Sequence, residues 1–173
     1  MPDDIVEAAF EAFRADVAAA PGLSLRAGDA LDSYEEPPAF DPEVDEPTDS
    51  YLETYGFLGL PFLDPASWRH YLPRLMDHAH RSLGDSRSMV LDGLLSSLRP
   101  PDRDPPRLAS LTVEQETVIV AFLQRLAFSE SAVPEHEMAL QALEERWIPN
   151  GIYRPHAGRD TRQEHREERQ HGD

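Results

Sequence analysis

Three histidines, two arginines and an aspartate lie within the twelve residues RHYLPRLMDHAH, Arg69 to His80. Imidazole and carboxylate at short spacing serve two chemistries: proton transfer near neutral pH, and ligation of a metal ion. On a helix, side chains three or four residues apart are neighbours. Asp77 and His80 therefore adjoin, whereas His78 and His80, two apart, diverge by roughly 160° and cannot share one ion. His70, Asp77 and His80 are the candidate ligands of a metal-assisted hydrolase that borrows acids from another helix. Zinc takes three or four ligands, and the sequence supplies no second chelating pair, so no metal and no other cofactor is expected. The competing reading is a solvated row of His70, Arg74, Asp77 and Arg81, with Asp77 paired to Arg81 and His80 near the helix C-terminus.

The remaining motifs carry less chemistry. HEMAL, His136 to Leu140, begins like the H-E-x-x-H zinc helix, but Leu140 stands where the second histidine must be. Gly84-Asp85-Ser86 follows a helical pattern rather than a strand, so nothing presents the serine as a nucleophile. Glycine-rich phosphate loops and paired CxxC motifs are absent. No catalytic residue is assigned.

The elements that would position these groups are helical. Ile5, Val6, Ala9, Phe10, Phe13 and Val17 recur at helical spacing before Pro21-Gly22. Asp64-Pro65 reads as an N-cap with proline at the first helical position. The helix that follows carries Trp68, Tyr71, Leu72, Leu75, Met76, Ala79 and Leu83 on one face, and Pro73 is expected to kink or split it. Ser88 to Leu98 predicts a third helix and Leu111 to Ala127 a fourth, the latter opened by Thr112 and Gln115 in capping-box spacing. A fifth starts at Pro134 and ends at Pro149-Asn150-Gly151. No segment alternates with a period of two, so the expectation is an all-α, compact bundle of about five helices. It divides into an N-terminal amphipathic helix (1–30), an acidic Pro-rich linker (31–53), a helical core domain (54–150) and a disordered charged tail (151–173).

Charge is the other strong signal. Acidic residues outnumber basic ones 33 to 16, for a net charge of −17, and every basic residue is arginine. Residues 1–60 hold 15 acids against Arg14 and Arg26. This balance argues against nucleic acid, whose binding draws on clustered positive charge. The longest apolar run, Val118 to Leu123, is too short to span a bilayer, so no membrane partner is expected. With no cysteine and acids near the N-terminus, a cytoplasmic location is expected.

FLDPASWRHYLP, Phe62 to Pro73, and LTVEQETVIVAFLQRLA, Leu111 to Ala127, resemble in their order a family of uncharacterised bacterial proteins with YYLP and LTPEQ blocks. His70 replaces an aromatic residue of that pattern and Val113 a proline. The resemblance spans residues 51–147, implies a small helical cytosolic domain and supplies no catalytic residues to carry over.

Three functions remain open. The first is a non-enzymatic interaction protein, of immunity or antitoxin type, in which Glu35, Glu36, Asp41, Glu43, Asp45, Glu46 and Asp49 meet a basic surface on a protein partner. The second is a self-associating helical module, a homo-oligomer seamed by the first helix. The third is the metal-assisted hydrolase.

Overall fold

A computed structural model describes residues 3–129 and 135–154, and within them every regular element is helical. Eight α-helices follow one another: α1 (Asp3–Ala12), α2 (Arg14–Ala18), α3 (Leu25–Asp32), α4 (Asp49–Gly59), α5 (Pro65–Arg81), α6 (Val90–Ser97), α7 (Val113–Ala127) and α8 (Glu135–Ala142). Short 3-10 turns at Leu60–Phe62 and Leu108–Ser110 precede α5 and α7, and α8 widens into a π turn over Leu143–Trp147.

The all-helical expectation holds, but eight helices replace about five. The single N-terminal helix breaks at Phe13, whose backbone leaves helical geometry (φ −104°, ψ 14°) as its ring enters the core. Helix α3 follows the expected stop at Pro21-Gly22 and runs into the expected linker, and α4 crosses from that linker into the expected core domain. Ser24 caps α3 by accepting from the Ala27 N–H, and Thr48 caps α4 by accepting from that of Tyr51. The linker thereby narrows to residues 33–48. The glycines that make α4 look irregular let it pack: a Cβ on Gly28 or Gly59 would fall on the other helix's backbone, so α3 and α4 touch main chain to main chain.

Helix α5 is the central rod. Asp64 caps it through the Ala66 and Ser67 N–H groups at 3.0 Å. It contacts α1, α2, α4 and α6. Of the two outcomes expected at Pro73 the split does not occur: α5 runs through it as one element, held by partners on several sides although one backbone hydrogen bond is lost. Trp68, Tyr71, Leu72, Leu75, Met76 and Ala79 are fully buried, as the stripe predicts, each large side chain contributing about 1.5–3 kcal/mol. Leu83 lies beyond the helix end and is exposed.

Two tryptophan N–H groups tie further elements together. Trp68 Nε1 donates to Ser97 Oγ on α6, and Trp147 Nε1 donates to the Leu98 carbonyl. Helix α7 opens with the expected reciprocal box of Thr112 and Gln115. The apolar residues of α1 pack on α5 and α7. Pro134 and the expected tail beyond residue 154 lie outside the described residues.

Candidate functional site

The histidine cluster does not assemble into a site. His70, expected in a solvated row, is buried because α2 crosses that face: its Nδ1–H donates to the Asp16 carbonyl at 3.0 Å. Burial pushes its pKa below the ordinary value. The Asp16 carboxylate draws the neighbouring polar groups to the same point, accepting from Arg69 Nε at 2.9 Å and Gln115 Nε2 at 2.8 Å. Asp77 pairs with Arg81, as the four-residue spacing predicts, and Arg81 also reaches Asp49. His78 is buried on the other flank, with Nδ1 3.1 Å from Asp49 Oδ1 and Nε2 2.5 Å from Glu53 Oε1. Among the described residues no three His, Asp or Glu side chains stand where they could hold one metal ion, so His70, Asp77 and His80 are not brought together.

The acidic segment between α3 and α4 is built around one inward carboxylate. Asp45, 1% exposed, receives Arg26 through Nε and Nη2, each at 2.9 Å. It also accepts from the Tyr51 hydroxyl at 3.0 Å and from the Asp41 N–H at 2.9 Å. Desolvation alone would raise its pKa; these donors, Arg26 foremost, outweigh it and hold the carboxyl below its ordinary value. Asp45 is therefore withdrawn from the surface, and Asp49 is engaged with Arg81 and His78. Glu35, Glu36, Asp41, Glu43 and Glu46 are exposed and make no ion pair among the described residues. Beside them Tyr34 takes the left-handed position that glycine usually fills after a helix (φ 58°), with its side chain 99% exposed.

A second feature is RPPDRDPPR (Arg99 to Arg107), a stretch that reads from sequence only as a linker. The Asp102 carboxylate gathers it, accepting from the N–H groups of Arg103, Arg107, Leu108 and Ala109 at 2.8–2.9 Å. Desolvation raises the Asp102 pKa, but these four donors more than offset it. The loop carries Arg107 inward, 3% exposed, where Nε and Nη2 donate to the carbonyls of Leu63 and Pro61. No carboxylate forms an ion pair with it among the described residues. Burial, helped by the nearby Arg103 charge, pulls its pKa down to about 10. Three adjoining cavities of about 440, 550 and 310 Å³ are all lined by both Arg103 and Arg107. The available sequence signal was three arginines in a segment too proline-rich for the helical pairings that usually employ them.

These features define an all-helical domain with an acidic connecting segment and an arginine-lined groove. The chain belongs to a family of unknown function (DUF6714), whose family model matches residues 1–151. The match takes in α1 to α3 and the acidic segment, which the shorter resemblance over 51–147 leaves outside. No curated protein and no solved structure matches the chain. No helix among the described residues is long and apolar enough to cross a membrane.

Proposed function

We propose that this protein is a non-enzymatic interaction module of immunity or antitoxin type, and that the segment between α3 and α4 docks against a basic surface of a protein partner. The observation that supports this reading is a division of labour among the acids. Asp45 is committed inward and pins the segment to Arg26 and Tyr51. Glu35, Glu36, Asp41, Glu43 and Glu46 have no cationic partner among the described residues. A segment already held at both ends loses little conformational entropy on docking. Exposed carboxylates of one sign accelerate encounter with a basic surface and select against acidic ones. The exposed Tyr34 beside them offers aromatic contact area at low entropic cost, the type of side chain that anchors many interfaces.

The test is capture from the native host at low salt, followed by binding measurements on the purified pair. Affinity is expected to fall as salt rises, and to fall further on exchange of Glu35, Glu36, Glu43 and Glu46 for lysine. A partner that binds the exchanged protein equally well, or no partner released by salt, would remove the proposal.

A further inference from the structure

We propose that the groove shared by Arg103 and Arg107 is a binding site for a monocarboxylate carried on an apolar body. Independent features of the groove converge on that chemistry. The first is Arg107, a buried guanidinium whose Nε and Nη2 are spent on the carbonyls of Leu63 and Pro61. Carbonyl oxygens accept hydrogen bonds but do not neutralise a buried cation, so an anion placed beside it restores what burial removes. The second is Arg103, which is exposed, lines the same three cavities, and makes no side-chain hydrogen bond or ion pair with the described residues. A planar guanidinium matches a carboxylate through two parallel N–H donors.

The third feature fixes the rest of the ligand. At the end of α4 and in the turn that follows, Phe57, Leu58 and Phe62 are each about two-fifths exposed, at 38%, 44% and 41%. They line the smallest of the cavities together with Arg103 and Arg107. Apolar walls with a few convergent polar groups are the usual make-up of a small-molecule site. Arginine together with phenylalanine and leucine in the lining of one cavity suits an amphiphile with a charged head and an apolar tail.

The charge balance selects one negative charge over two. Four carboxylates also line these cavities, Asp32, Asp64, Asp102 and Asp104. Asp64 and Asp102 direct their charge to backbone N–H groups, and all four keep that charge and repel an anion. Two guanidinium groups facing this acidic surround accommodate a carboxylate more readily than a phosphate dianion.

The experiment is titration of the full chain with octanoate, followed by the ¹⁵N shifts of the arginine Nε groups, with octylammonium and inorganic phosphate as comparison probes. Octanoate is expected to saturate with a Kd on the order of 1 mM or tighter, moving the Arg103 and Arg107 signals. Arg103→Ala, an exposed position that leaves the fold intact, is expected to weaken it about tenfold, the loss of one charged hydrogen-bonded contact. Phe62→Ala is expected to weaken octanoate as well. Equal binding of octylammonium, saturation by phosphate but not octanoate, insensitivity to Arg103→Ala, or no saturation at all would each overturn the assignment.

Discussion

Arg26 on α3 and Asp45 in the acidic segment meet side by side, Nε to Oδ1 and Nη2 to Oδ2 at 2.9 Å, with the Asp45 side chain fully buried and that of Arg26 22% exposed. The pair is the one place where the most acidic stretch of the chain turns a carboxylate into the protein. It determines whether residues 33–48 are a held loop or a free strand of negative charge.

Removing either partner should therefore cost much more than loss of a surface ion pair. Asp45→Asn leaves Arg26 half-satisfied and still partly in water, and is expected to destabilise the fold by about 2–3 kcal/mol in urea unfolding. Arg26→Ala strands the fully buried carboxylate and is expected to cost more, about 3–5 kcal/mol. In both variants, proteolysis within 33–48 should accelerate beyond that of the rest of the chain.

The same carboxylate gives stability a pH dependence of known sign. Asp45 and Asp102 both have folded pKa values below the ordinary 3.8. Each binds a proton more readily when unfolded, so its contribution is complete above 3.8 and is lost as pH falls below that value towards the folded pKa. Unfolding free energy should decline between about pH 5 and about pH 2, and the decline should be shallower in Asp45→Asn and in Asp102→Asn. Parallel slopes in the parent and both variants would show that other groups carry the acid response.

Close approach of α3 and α4 makes a third test. A Cβ at Gly59 would meet the Leu25 carbonyl and one at Gly28 the Gly59 carbonyl, backbone atoms that can move only with their helices. Gly28→Ala or Gly59→Ala is expected to cost about 3 kcal/mol by thermal or urea unfolding. Gly84→Ala places its Cβ in open space at a φ of 81° and should cost only about 1 kcal/mol.

How far the sequence could be read follows from these contacts. Helices whose signal is local were legible: the Asp64 cap with Pro65, the Thr112 and Gln115 box, and the stripe from Trp68 to Ala79 all appear in place. Helices α3 and α4 were not, because their glycines lower helix propensity and earn their position only through a neighbouring helix remote in sequence. The same non-locality hid the polar sites. A helical projection places His70 opposite the apolar stripe, which is correct, but cannot know that α2 covers that side and offers the Asp16 carbonyl. Arg107 looked like a linker residue because its partners, Pro61 and Leu63, are more than forty positions away.

The outward acids should be replaceable without harm to the fold, and this separates their role from that of Asp45. Glu35, Glu36, Glu43 and Glu46 are exposed and have no ion-pair partner among the described residues, so their exchange for lysine breaks no ion pair there. Four such exchanges raise the net charge by eight from −17, which relieves repulsion within an acidic stretch. The fourfold variant is accordingly expected to unfold within about 0.5 kcal/mol of the parent, or to be slightly more stable at low salt, where screening is weakest. Urea unfolding at low and high salt checks both statements, the difference from the parent shrinking as salt rises. A variant that keeps its fold while losing a salt-sensitive partner would assign the lost binding to these side chains directly; one that unfolds would place them in the scaffold with Asp45.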